Sequence, residues 1–276
     1  MRTTIAERRA SFRRLHETSC FVIPNPWDLG SAVILQSLGF KALASTSSGL
    51  AWSHARRDNT MSRDEVLRHL SAMVDTVDLP VNADFENAFG DHPDEVAVNV
   101  SLAIDTGIAG ISVEDSTGDS RTPLYDFSLA VERIQAARGV IDKSGHDIFL
   151  TARSEGFFVG RPDLNETLRR LSAYSESGAD CLYAPGLARE ADIEEVVKAM
   201  RPKPVNVLTP GMPVARLAAL GARRISVGGW LARAAWGEFM RAAKEIAEEG
   251  TFEILGQAAT GAELNGLFAK YQADRD

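Results

Sequence analysis

Short apolar runs, many of them β-branched, alternate along the chain with longer runs in which apolar residues recur at i, i+3 and i+4. The short runs read as strands: CFVIPN (20–25), ALASTS (42–47), PVNADF (80–85), AGISVED (109–115), IFLTARS (148–154), DCLYAPG (180–186), PVNVLTP (204–210) and RISVGG (224–229). Between them, SRDEVLRHLSAMVDTV, PDEVAVNVSLAIDT, LAVERIQAARGVID, LNETLRRLSAYSES and ADIEEVVKAM carry the helical period. Gly39, Gly107, Gly145, Gly178 and Gly221 each close a helical run shortly before the next strand, as a left-handed C-cap does. Eight strand-helix units predict an α/β fold, a single (β/α)8 TIM barrel over residues 1–276 with a C-terminal helical extension from about 245. An open doubly wound sheet would carry a glycine-rich fingerprint after its first strand, and IPNPWDLGSA is not one.

Strand side chains alternate faces, so Val81, Ala83 and Phe85 are expected against the helices, with Asn82, Asp84 and Glu86 toward the barrel axis. The same alternation turns Ser112 and Glu114 inward on strand four, Thr151, Arg153 and Glu155 on strand five, and Asn206 on strand seven. Acids so placed crowd at the C-terminal ends of the strands, where barrel enzymes build their sites. They need a counter-charge, and an all-oxygen donor set favours Mg2+ or Mn2+ over zinc. The alternative is a salt-bridged rim with Arg153 neutralising one acid. In STSSGLAWSHARRDN, Ser47 and the backbone N–H groups of Gly49 and Leu50 form a candidate anion nest. Asp58 is a candidate fourth acid and His54 a candidate proton carrier. Asp28 reads as a helix N-cap. The Gly228–Gly229 pair reads either as a phosphate seat or as a close helix-strand contact.

Composition narrows the partners. With 45% hydrophobic and 25% charged residues the chain is ordinary globular material, and a formal charge of −8 argues against nucleic acid or an anionic membrane. Cys20 and Cys181 lie far apart without metal-ligand spacing, which suggests two free thiols. The N-terminal MRTTIAERRASFRRLHE is basic and lacks an apolar core, so a cytoplasmic protein is expected.

The ordered set NPWD, STSSGLAWS, NADFENAFG, GISVEDS, TARSEGF, GADCLYAPG, PVNV and GARRISVG resembles the isocitrate lyase/phosphoenolpyruvate mutase superfamily over residues 20 to 245. The resemblance implies a barrel whose eighth helix is exchanged between protomers, in dimers or dimers of dimers. It implies Mg2+ near Asp84, with Glu86, Glu114 and Asp58 holding its waters, and a substrate carboxylate gripped by Arg153 and the Gly49 and Leu50 amides. Glu86 stands where many members have Asp. Members that cleave isocitrate or methylisocitrate share a KxCGH-like loop after strand four, and mutases and C–P hydrolases carry Lys and Asn there. This chain reads EDSTGDSRTPLYDFSL, with no Cys, His, Lys or Asn. The expected activity is a Mg2+-dependent lyase for a small 2-oxo or 2-hydroxy acid. C–P chemistry and a non-catalytic 2-oxo acid binder are the alternatives, and Arg153, Glu155, His54, Tyr125 and Tyr183 are the candidates to assist catalysis.

Overall fold

A computed structural model describes residues 3–208 and 211–275, so Thr209 and Pro210, at the end of the seventh expected strand, lie outside the described residues. The elements run α1 (Ile5–Thr18), β1 (Phe21–Ile23), α2 (Leu29–Ser37), β2 (Leu43–Ala44), α3 (Ser47–Ser53), α4 (Arg63–Thr76), β3 (Val81–Asp84), α5 (Pro93–Asp105) and β4 (Gly110–Glu114). They continue with α6 (Phe127–Ser144), β5 (Phe149–Arg153), α7 (Leu164–Glu176), β6 (Cys181–Tyr183), α8 (Glu190–Ala199), β7 (Val205–Val207), α9 (Val214–Ala219), β8 (Arg224–Ser226), α10 (Trp230–Glu249) and α11 (Gly261–Ala273).

The strands form one parallel sheet in which each pairs with its sequence neighbour from β2 to β8, and β8 pairs with β1. This is a nearly closed (β/α)8 barrel. No ladder joins β1 to β2; the amide of Ala44 donates to Pro24 O at 3.0 Å and Asn25 completes the seam. Asn25 Nδ2 donates to Ser45 O at 2.9 Å while its Oδ1 accepts from the amides of Val227 and Gly228 at 3.0 and 2.8 Å.

The main core lies between strands and helices. Val81, Ala83, Ile111, Val113, Leu150 and Leu182 pack there against Leu70, Met73, Val100, Ile134, Ile141 and Leu171, each large side chain contributing roughly 1.5–3 kcal/mol on burial. A second cluster fills the lower barrel: Phe12 from α1 enters beside Ile23, Ala42, Phe149 and Cys181. Gly110 makes room for this plug, since a Cβ there would lie 2.5 Å from Phe12 Cε1.

His16 sits in the plug, stacked on Phe149 at 3.8 Å, with Nδ1 2.9 Å from Phe12 O. Burial first, and then the nearby charge of Arg224, lowers its pKa to about 3. The unfolded chain protonates this ring near pH 6.5, so between about 3 and 6.5 the unfolded state binds more protons and stability is lost as the pH is lowered. Lowering the pH from 7 to 5 is expected to cost about 2 kcal/mol from this residue. The measurement is the urea midpoint at both pH values, with His16→Phe losing most of the difference.

Outside the barrel, α10 buries only Ala232, Ala242 and Glu245, while Phe239 and Met240 are each 62% exposed. The extension then returns to the barrel wall, where α11 packs beside α2 and Tyr271 Oη donates to Thr76 O at 2.7 Å. No helix among the described residues is long and apolar enough to cross a membrane.

Candidate active site

A cavity of ≈ 510 Å3 opens at the C-terminal ends of the strands. Its wall takes Asn25 from the end of β1, Thr46, Ser47, Ser48 and Trp52 from the β2 end and α3, Asn82 and Asp84 from β3, and Ser112 from β4. Arg153, Tyr183, Asn206 and the pair Arg224 and Ser226 follow from β5, β6, β7 and β8. Phe158, Leu187, Trp230 and Arg233 form the remaining upper wall, together with Asp58. The inward alternation read from the strands holds for Asn82, Asp84, Ser112, Arg153 and Asn206, and small side chains at Ala44, Ser112 and Ser226 leave the space empty of protein.

At the centre, one guanidinium meets three carboxylates. Arg153 Nη1 lies 2.6 Å from Asp84 Oδ1, Nη2 lies 3.0 Å from Glu114 Oε2, and Nε lies 2.9 Å from Glu155 Oε1. Burial opposes the charge on Arg153, yet Glu155, Glu114 and Asp84 together hold its pKa well above the ordinary value. Burial pushes Glu114 and Glu155 upward in turn, against the opposing pull of Arg153. Asp84 also accepts from the Ser47 amide at 3.0 Å.

Two further acids have no share in that arginine's hydrogen bonds. Asp58 reaches the cavity wall from the loop after α3, and burial followed by the charge of Asp84 raises its pKa. Glu86 is buried, and burial, then Asp84, then Asp58 raise its pKa to about 8. A left-handed backbone puts it there: Glu86, Ala88 and Phe89 have φ of 49°, 57° and 53°, which non-glycine residues rarely adopt. Buried Arg133 donates to the carbonyls of Asn87, Gly90 and Asp91, and Asn99 Nδ2 to those of Ala88 and Phe89, so this strained turn is clamped from below.

Several expected residues are elsewhere. Gly49 and Leu50 are not on the wall: their amides turn into α3, Gly49 N toward the N-cap hydroxyl of Thr46 and Leu50 N to Thr46 O, so they form no anion nest. Ser47 is on the wall, but its amide is taken by Asp84. His54 caps the far end of α3, exposed, with Nδ1 against Leu50 O, and does not reach the cavity. Glu155 lies behind Arg153, where its amide donates to Asp115 Oδ1 at 2.8 Å, and Tyr125 is bound to Asp91 and Asn87. Glu86 and Glu114 also stand behind the wall, while Asp84, Asp58, Arg153 and Asn206 line it. At Gly229 a Cβ would meet Ser48 Oγ at 2.6 Å and the Trp52 ring at 3.2 Å, so this glycine makes a close contact with α3, while both glycines of the pair line the cavity.

The loop after β4 folds on itself. Ser116 bridges Leu124, the Thr117 amide donates to Pro123 O at 3.1 Å, and Asp119 pairs with Arg121 at 2.9 Å. No described residue from 115 to 126 lines the cavity.

The donor set suits a hard divalent cation. Every candidate ligand is an oxygen, the described wall has no His, Cys or Lys, and the Glu86 carboxylate has neither a hydrogen bond nor an ion pair among the described residues. No three His, Cys, Asp or Glu side chains among those residues form a ready-made cage, because Arg153 holds Asp84 and Glu114 apart from the others. That geometry fits an ion with few direct protein ligands and several waters, the usual habit of Mg2+.

Comparison with known proteins follows the same lines. Residues 12–247 match the family profile described as phosphoenolpyruvate phosphomutase. A Burkholderia cenocepacia structure provisionally described as a lyase/mutase is 45% identical, covers 96% of this chain and 97% of its own, and superposes with a TM-score of 0.94. An uncharacterized Mycobacterium tuberculosis protein is 32% identical over 79% of this chain and 81% of its own length. Oxaloacetate decarboxylase of Pseudomonas aeruginosa is 28% identical over 80% and 79%.

Proposed function

The chain belongs to the phosphoenolpyruvate mutase/isocitrate lyase superfamily, and from that premise we propose that it is a Mg2+-dependent lyase acting on a small 2-oxo or 2-hydroxy carboxylic acid. The reaction is cleavage or decarboxylation at a C–C bond. The observation that carries this reading is the imbalance at the cavity: Asp58, Asp84, Glu86, Glu114 and Glu155 gather around Arg153, which pairs with only Asp84, Glu114 and Glu155. Asp84, Asp58 and Glu86 would hold the ion, which supplies the positive charge that polarises a 2-oxo group and offsets charge developing on it.

The chain's own residues do the rest. Arg153 fixes Asp84 in place and lowers the cost of keeping three carboxylates together. Of the four proton carriers considered, Tyr183 alone lies on the cavity wall; burial raises its pKa, so it is a neutral phenol with a proton to give. The test is turnover of oxaloacetate, malate-type acids, 2-oxoglutarate and phosphonopyruvate with Mg2+. Loss of a carboxylic acid, stopped by EDTA and slowed roughly 10²-fold or more by Tyr183→Phe, is the expected result; phosphate release, or binding without product, would replace the reading.

We infer, with the exposed Trp236, Phe239 and Met240 of α10 as support, that two protomers exchange this helix, each laying these side chains on the other's barrel. The double substitution Phe239→Asp, Met240→Asp is expected to convert the oligomer to monomer in light scattering, while a wild-type monomer at micromolar concentration would exclude the exchange.

A further inference from the structure

Three arginines line the cavity, and their charges are differently engaged. Arg153 is shared among three carboxylates, and Arg233 stacks on Trp230 at the rim, 3.9 Å from the ring centroid. Arg224 is on the floor, 3% exposed, and among the described residues has no acid within salt-bridge distance. Its Nε donates to Asn206 Oδ1 at 2.9 Å, and Asn206 Nδ2 donates onward to Ser226 Oγ at 2.9 Å, so the side chain is held in one orientation. Nη1, also buried, has no hydrogen-bond partner among the described residues. Buried guanidinium groups are ordinarily paired, because an isolated charge is costly to remove from water. A cation that is oriented, desolvated, unpaired and open to an otherwise acidic cavity is a seat prepared for an anion.

We propose that Arg224, oriented by Asn206, binds the distal carboxylate of the substrate, whose reacting end lies at Asp84 and Arg153. This rests on the reading of the cavity as an acid site and adds a second anionic group to the ligand. Register partners run Arg153, Tyr183, Asn206, Arg224 across β5, β6, β7 and β8, so the two anchoring residues stand at one level on strands three spacings apart. The acidic centre repels such a ligand until a cation offsets it, whereas the floor attracts it in every state.

The experiment is calorimetric binding with Mg2+ present, comparing unbranched diacids (malonate, succinate, glutarate) with monoacids of equal length (propionate, butyrate, valerate). The expected result is at least tenfold tighter binding of one diacid than of its monoacid, lost in Arg224→Met with the monoacid unchanged. Arg224→Lys keeps part of the preference. Asn206→Asp, which supplies Arg224 with an internal acid, abolishes it and carries the test if Arg224→Met does not fold. Diacid and monoacid bound alike, or a preference that survives both Arg224→Met and Asn206→Asp, would overturn the floor subsite alone. No binding of any carboxylate would overturn it together with the reading of the cavity.

Discussion

Asp84→Asn is expected to abolish Mg2+-dependent turnover, by roughly 10³-fold or more, while leaving the melting temperature within a few degrees of wild type. Asp84 is where the arginine-bound acids and the cation-facing acids meet: it accepts from Arg153 Nη1 at 2.6 Å and from the Ser47 amide at 3.0 Å, and it raises the pKa of both Asp58 and Glu86. The amide substitution keeps the shape and the oxygen that receives the Ser47 amide, but removes the charge. Relief of repulsion on Glu86 and Asp58 offsets the weakened contact with Arg153, so the fold tolerates it. Asp84→Ala should lose activity equally and cost more stability, because it bares the Ser47 amide. The decisive measurement is a Mg2+ titration of initial rate beside a melting curve; a variant that folds and keeps wild-type Mg2+ dependence would remove Asp84 from the metal site.

Asp115→Ala should do the opposite, failing first in stability. Asp115 is 2% exposed and accepts from Tyr174 Oη at 2.6 Å, from Arg170 Nη1 at 3.0 Å and from the Glu155 amide at 2.8 Å. Truncation leaves Arg170 with the Glu166 carboxylate and the Tyr125 carbonyl, and a phenol and an amide buried without their acceptor. Loss of one member of such a pair costs about 3–5 kcal/mol, which in a chain of this size lowers the melting temperature by roughly 10 °C. Activity falls as well, through Glu155 and then Arg153, since the Glu155 backbone is held in register by this carboxylate. Melting temperature and kcat measured together separate the two effects: a fall in kcat with an unchanged melting temperature would show that the network does not hold the fold.

Much of this was readable in the chain because strands obey a two-residue period. PVNADF declares its inward face by alternation alone, and Asn82 and Asp84 are on the cavity wall as that alternation requires. What alternation does not encode is how far a helix begins after a strand. STSSGL looks like an open loop, yet Thr46 caps α3 immediately and draws the Gly49 and Leu50 amides into the helix. Glu86 continues the alternation on paper, but the backbone has turned left-handed there, a change enforced by Arg133 and Asn99 from distant elements. The N-terminal stretch reads only as basic, and its pattern does not announce that Arg8 and Arg9 are buried as donors to carbonyls of Val74, Val77, Ile104 and Ile108. Arg224 was legible in principle, because RISVGG alternates Arg224, Ser226 and Gly228 on the face that Asn206 shares. Its interest comes from the lack of an acid nearby, which only the folded chain reveals.

The seam at Asn25 sets the order in which these parts can become functional. Its side-chain oxygen waits for amides 202 and 203 residues further along, so on a ribosome that oxygen lacks these partners until the eighth strand has left the exit tunnel. The acid cluster is drawn from β3, β4 and β5 and can assemble early, whereas the cationic floor arrives with the last strand. During synthesis the half-built barrel is an acidic surface without its counterweight, and closure of the seam is the step that joins them.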